Sequence, residues 1–189
     1  MRLHAATPDA WATTVMADMN TFLLDHASAE RKASATALSL LSHFPDRTEL
    51  VAAMIALAQE ELLHFAQVYE LLSERRLILR TDERDRYVRA LRALGRPQQP
   101  ECLLDRLLIA GIIEARGCER FGLLAAALPP GDLKTFYLDI TRSEARHAGL
   151  FVRLARCYYP APEVSARQEE LLAKESDIML SCPLRARVH

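Results

Sequence analysis

An all-α fold built on two long helical hairpins is predicted by three features of this chain. Apolar residues recur at spacings of three and four through most of its 189 residues, the period of a helix with one buried face. Ala, Leu, Arg and Glu dominate and only 6 glycines occur, a composition that favours helix. β-Branched residues do not cluster in alternating runs, so no strand is expected.

The elements follow from where that periodicity is interrupted. Pro8 and Asp9 open a first helix running to about Asp25, and a second helical stretch covers about Ser28 to His43. The sequence leaves open whether these two are continuous or kinked. Phe44-Pro45-Asp46 breaks the pattern. Asp46 followed by Glu49 has the form of a capping-box variant and starts a helix to about Arg76. Residues 77–100 form a less regular connection with a short helix around Asp82 to Leu94, closed by Gly95, Pro97 and Pro100. A long helix from about Glu101 to Leu128 ends at the strong breaker Pro129-Pro130-Gly131. Another runs from about Asp132 to Tyr159, Pro160 and Pro162 end it, and a last helix covers about Glu163 to Met179. Helix hairpin, crossover, helix hairpin is the plan of a ferritin-like four-helix bundle, here with additional flanking helices. A single domain spanning residues 1–189 is expected.

Length and composition agree. The chain can bury one sizeable core, and with 50% hydrophobic residues it should fold. The formal net charge of −1 supplies no global field for nucleic acid or membrane. Nearly all the positive charge is Arg; the only lysines are Lys32, Lys134 and Lys174. Cys102, Cys118, Cys157 and Cys182 include no Cys-x-x-Cys pair, which argues against a zinc ribbon or a thioredoxin-type motif. The N-terminal Met1-Arg2-Leu3-His4 lacks the apolar core of a signal peptide, and no apolar run is long enough to span a bilayer. A cytoplasmic protein with reduced thiols and no membrane partner is the expectation.

The chemistry resides in two Glu-x-x-His pairs, Glu61–His64 and Glu144–His147. Residues three apart share a helix face, so each pair can present a carboxylate and an imidazole to one metal ion. A motif this short is weak alone; the turns strengthen it. In an antiparallel hairpin, residues equidistant from the turn face each other. Glu30 and Glu61 have their midpoint at 45.5, on Pro45-Asp46, and Glu114 and Glu144 at 129, on Pro129-Pro130. Each Glu-x-x-His therefore lies level with a lone Glu, about 22 Å from its turn. Burying four carboxylates and two imidazoles at one depth costs on the order of several kcal/mol each unless cations offset it. Glu30, Glu61, His64, Glu114, Glu144 and His147 make up the donor set of a di-iron or di-manganese carboxylate centre, and both donor types suit iron. By analogy with such sites, Glu61 and Glu144 bridge the ions, Glu30 and Glu114 bind terminally, and each His binds one ion. The competing reading is surface carboxylates plus two satisfied histidines.

Ala27, Ala33, Ser34 and Ala37 surround the face of Glu30, while Gly111, Gly117 and Cys118 accompany Glu114. These small residues leave room for dioxygen and a substrate, or else serve close helix packing. Glu60 and Glu119 fall outside the spacing and the level. His4, His26, His43 and His189 have no such partner and read as surface or structural. Cys118 reads as a buried inert thiol, and Tyr69 and Tyr137 as core packing.

The string Asp25-His26-Ala27-Ser28-Ala29-Glu30-Arg31-Lys32-Ala33, with Glu60-Glu61-Leu62-Leu63-His64-Phe65 and Ser143-Glu144-Ala145-Arg146-His147, resembles the MiaE family of tRNA-modifying hydroxylases. The likeness runs from about Trp11 to about Met179. It implies an enzyme, a non-haem di-iron monooxygenase. Dioxygen is its co-substrate, and it hydroxylates the isopentenyl group of 2-methylthio-isopentenyl-adenosine in tRNA. An unidentified electron-donor system would reduce the two iron ions. The six donors carry over onto Glu30, Glu61, His64, Glu114, Glu144 and His147.

A tRNA partner needs phosphate contacts. Arg75, Arg76, Arg80, Arg84, Arg86, Arg89, Arg92 and Arg96 crowd the connection, opposed there by Asp82, Glu83 and Asp85. They could bind phosphates or form a solvated helix face with local ion pairs. Arg185 and Arg187 could add to them. No aromatic ladder for single strands accompanies them. The alternatives are a ferritin-like di-iron oxidase or peroxidase acting on a small molecule, and a metal-free helical interaction protein. The electron donor, the oligomeric state and iron versus manganese are not encoded in any motif.

Overall fold

The computed structural model describes residues 1–189. It contains seven α-helices and no strand: α1 Ala10–Ala17, α2 Met19–His43, α3 Thr48–Glu74, α4 Arg86–Arg92, α5 Glu101–Ala127, α6 Asp132–Tyr158 and α7 Ala161–Ser181. The chain divides into two compact units. None of the helices is long and apolar enough to cross a membrane, and the four cysteines form no disulfide.

One unit comprises residues 17–83 with 186–188, and its frame is the α2–α3 hairpin. Phe22, Leu23, Leu40, Leu50, Met54, Leu57, Val68 and Leu72 form its apolar interior. One buried hydrogen bond crosses the hairpin, from the Ser34 hydroxyl to the Ala58 carbonyl at 2.8 Å. Asp25, Ser28, Arg31 and Lys32 point the other way and strap down two remote segments. Ser28 donates to Asp82 at 2.6 Å, Arg31 pairs with the same carboxylate, and Lys32 donates to the Glu83 carbonyl at 3.1 Å. Asp25 accepts from the Val188 amide at 2.8 Å, and Arg187 pairs with Glu83.

The other unit comprises residues 1–16, 84–185 and 189. Helices α5 and α6 pair along their lengths, and α4 and α7 pack on them. Two fully buried carboxylates fasten these additions. Asp105 on α5 takes Arg96 from the connection and Arg167 from α7, at 2.7 and 2.9 Å. Glu175 on α7 takes the Arg116 guanidinium at 2.8 Å and the Tyr87 hydroxyl of α4 at 2.9 Å. Arg116 also reaches the Ala5 carbonyl at 3.0 Å, while Thr7 donates its hydroxyl to Glu119 at 2.6 Å. The N-terminal segment is thereby tied to α5.

Four expectations need correction. The first helix ends at Ala17, not near Asp25, because the Asp18 carboxylate accepts from the Thr21 amide and caps a new helix. Asp46 does not cap α3. Arg47 occupies that position without a side-chain bond, and the Asp46 carboxylate lies 3.5 Å from the Arg47 guanidinium. The connecting helix is shorter than 82–94, since Asp82 is held by Ser28 and Arg31 while Asp85 caps α4 through the Val88 amide. Pro162 does not end a helix; it sits in the first turn of α7, where its missing N–H costs nothing.

Candidate metal centre

In the α2–α3 unit, the helical period turns Glu30, Glu61 and His64 to the buried face, where they are 4%, 0% and 7% exposed. Their donor atoms lie within 4.8 Å of one another. His64 Nδ1 stands 3.1 Å from Glu61 Oε2 and 3.7 Å from Glu30 Oε2. Burial works against the charge of Glu30, but hydrogen bonds from His26 and His64 outweigh it and hold the carboxyl well below the usual range. Burial likewise disfavours a charged His64, but hydrogen bonds to Glu30 and Glu61 push it up to about 10. Without metal, a cationic imidazole is thus the charge partner of two buried carboxylates.

The α5–α6 unit repeats the arrangement. Glu114, Glu144 and His147 are 9%, 4% and 3% exposed, with donor atoms again within 4.8 Å of one another. His147 Nδ1 is 3.9 Å from Glu144 Oε1, and its Nε2 is 3.4 Å from the Ser143 hydroxyl, which accepts from Arg146 at 3.1 Å. A Cβ on Gly117 would stand 3.4 Å from Glu144 Oε2, so glycine leaves the space beside that carboxylate open.

Each unit therefore buries two carboxylates and one imidazole on adjacent helices, with an oxygen and nitrogen donor set suited to a transition-metal ion. Side chains of this charge are almost never buried together unless paired or bound to metal. The donor chemistry fits a metal ion in both halves. All six sequence-derived residues are placed on these two triads. Glu60 stands apart, 4.0 Å from the opposite edge of the His64 ring, and Glu119 is engaged by Arg116 and Thr7.

The family described as tRNA-(MS[2]IO[6]A)-hydroxylase (MiaE) matches residues 1–189. The chain belongs to this family. A tRNA 2-(methylsulfanyl)-N(6)-isopentenyladenosine(37) hydroxylase of Pseudomonas putida is 38% identical over 187 residues, covering 99% of this chain and 91% of that protein. The protein of the same name from Salmonella typhimurium is 31% identical over 236 residues, covering 99% and 87%. Among solved structures, a Synechococcus protein with aldehyde deformylating oxygenase activity superposes with a TM-score of 0.94 at 35% identity, covering 100% of this chain and 96% of that one. The fold is accordingly the ferritin-like four-helix bundle with flanking helices, as the sequence plan anticipates.

Within this family frame some residues behave differently from their sequence reading. His26, expected to be surface or structural, is structural, and it has a carboxylate partner. It is 0% exposed and its Nε2 lies 2.6 Å from Glu30 Oε1; the signal was its i, i+4 spacing to Glu30. Tyr69 is 47% exposed and not core, whereas Tyr137 is fully buried and stacks on Phe121. The half-buried Cys118 thiol donates to the Thr141 carbonyl at 3.4 Å, and burial pushes its pKa up, in keeping with an inert thiol. Of the connection arginines, Arg96 spends its guanidinium on Asp105, and Arg75 donates to the Leu71 carbonyl at 3.0 Å. Arg76, Arg80, Arg84, Arg86, Arg89 and Arg92 are exposed, as are Arg75 and Arg96 beside those bonds.

Proposed function

We propose that this chain hydroxylates the isopentenyl group of 2-methylthio-isopentenyl-adenosine in tRNA. The site is a di-iron centre completed by the two triads together: Glu30, Glu61 and His64 with Glu114, Glu144 and His147. The observation that carries the reading is the repetition of one buried Glu, Glu, His triad in each hairpin of a chain belonging to this family. On this reading the two units act as one ferritin-like domain.

When bound and reduced, the iron pair supplies activation of dioxygen: one oxygen atom enters the substrate C–H bond, and the other leaves as water with two electrons from a donor and two protons. The residues themselves bind and orient. Four carboxylates balance the charge of two divalent ions, and the two imidazoles give each ion a neutral nitrogen donor. Loading requires His64 to give up its proton. Burial of all six keeps bulk water from the reacting atoms. The exposed arginines of the connection, Arg76, Arg80, Arg84, Arg86, Arg89 and Arg92, are suited to the tRNA phosphates. Arg75 and Arg96, held by internal partners, are poorer candidates. A tRNA substrate also fits a cytoplasmic protein.

The likeness to a structure with aldehyde deformylating oxygenase activity keeps a second reading in view, a di-iron oxidase acting on a small molecule. Nucleoside mass spectrometry of tRNA separates the two. After incubation with iron-loaded, reduced protein and dioxygen, the modified adenosine should gain one oxygen, and Glu114→Ala should abolish the gain. Dioxygen consumption with unchanged nucleosides would favour the small-molecule reading.

A further inference from the structure

His26 is a buried polar side chain in contact with a triad, and the metal reading leaves it without a task. It sits one turn before Glu30 on α2 and is 0% exposed, against Phe22 at 6.0 Å between ring centroids. Its Nε2 lies 2.6 Å from Glu30 Oε1. A carboxylate accepts only, so Nε2 carries the hydrogen and donates. The other oxygen of the same carboxylate, Oε2, is turned toward His64, at 3.7 Å from Nδ1. His26 is not itself among the clustered donor atoms, which are those of Glu30, Glu61 and His64. One oxygen of Glu30 is thus held on the protein side while the other faces the cluster.

We propose that His26 is a positioning residue that makes Glu30 a one-oxygen ligand: it holds Oε1 in a hydrogen bond and presents Oε2 alone to the ion shared with His64. This rests on the di-iron reading above. A carboxylate free to rotate can chelate one ion through both oxygens or swing between two ions. A donor locked on Oε1 forbids both, because chelation would break a buried, charge-assisted hydrogen bond. The same bond restricts the Glu30 rotamer before metal arrives, so less ordering remains to be done on loading. The effect falls on the ion that Glu30 and His64 hold, since the bond is made to Glu30.

Cobalt(II) titration of metal-free protein, followed by visible absorption, tests this without turnover. Wild type should bind two ions. In His26→Leu one of the two should bind about 10–100-fold more weakly, the usual consequence of losing a hydrogen bond to a metal ligand. Its ligand-field bands should change while those of the other ion do not. His26→Gln, whose amide nitrogen can occupy the place of Nε2, should restore both. If His26→Leu does not fold, His26→Asn, too short to reach Oε1, takes its place against His26→Gln. Wild-type affinities and bands in the Leu or Asn variant would overturn the role of His26 and leave the metal centre standing, as would a lowered melting temperature of the metal-free variant with unchanged affinities. A wild-type protein that binds no cobalt would overturn the metal centre itself, and His26's role with it.

Discussion

Ser34 and Ala58 are joined by a 2.8 Å hydrogen bond across α2 and α3, at the same register as the facing carboxylates. The two numbers average to 46, on the turn, so the bond belongs to the register that brings Glu30 level with Glu61. Removing the hydroxyl in Ser34→Ala should cost about 1 kcal/mol and leave metal binding intact, because the helices can still close. Ser34→Leu should force them apart, cost about 1–3 kcal/mol and weaken metal binding. Denaturant melts and metal titrations of both variants decide it; equal metal affinity in the two would remove Ser34 from the site's support.

Arg116 and Glu175, both 0% exposed, meet at 2.8 Å and hold α7 to α5. Removing the Glu175 charge leaves the buried guanidinium with the partly exposed Glu119 as its counterion, so Glu175→Gln should destabilise the protein by about 1–3 kcal/mol. The double variant Arg116→Met with Glu175→Leu should recover much of that loss. A Glu175→Gln protein as stable as wild type in denaturant would show the pair to be dispensable.

Asp105 is held down to about 2 against its burial by hydrogen bonds from Arg96 and Arg167. A carboxyl lowered on folding stabilises the protein above its unfolded value, about 3.9. That contribution disappears as the pH falls through about 2. Asp105→Asn should therefore be less stable than wild type at neutral pH, and the two stability curves should converge between pH 4 and 2. Parallel curves over that window would contradict the assignment.

Arg76 occupies the left-handed region with φ of 56°. It closes α3 in a Schellman arrangement, its amide donating to the Ser73 carbonyl and that of Leu77 to the Leu72 carbonyl, both at 2.9 Å. Glycine suits that position better, since a side chain there costs roughly 1–2 kcal/mol. An arginine placed there despite that cost points to a use for its charge. Arg76→Gly should raise the melting temperature, weaken tRNA binding, and lower the salt dependence of binding by about one phosphate contact. Unchanged binding would remove Arg76 from the tRNA surface.

The helices and all six candidate donors were legible because both depend on period and on distance from a turn, quantities written in the order of residues. Pro45 and Pro129-Pro130 mark the turns, and the Glu-x-x-His spacing marks the faces. What the sequence concealed lies in contacts between remote segments. His26 is hidden because its carboxylate partner stands at i, i+4 on α2 and not at the Glu-x-x-His spacing. Asp82 resembled a helix start, yet its carboxylate is taken by Ser28 and Arg31 more than 50 positions away. Arg96, counted with the phosphate-binding set, is claimed by Asp105. Nothing local distinguishes an arginine that faces solvent from one that closes a buried ion pair.

On the proposed function, one chain holds two iron ions on two triads. Iron per chain in protein reconstituted anaerobically, read alongside its Mössbauer spectrum, tests it most directly. Two irons per chain are expected in the wild type, fewer in Glu61→Ala and in Glu144→Ala, and no loss in the control Glu60→Gln. One iron or none in the wild type, or two irons retained after either alanine substitution, would contradict it.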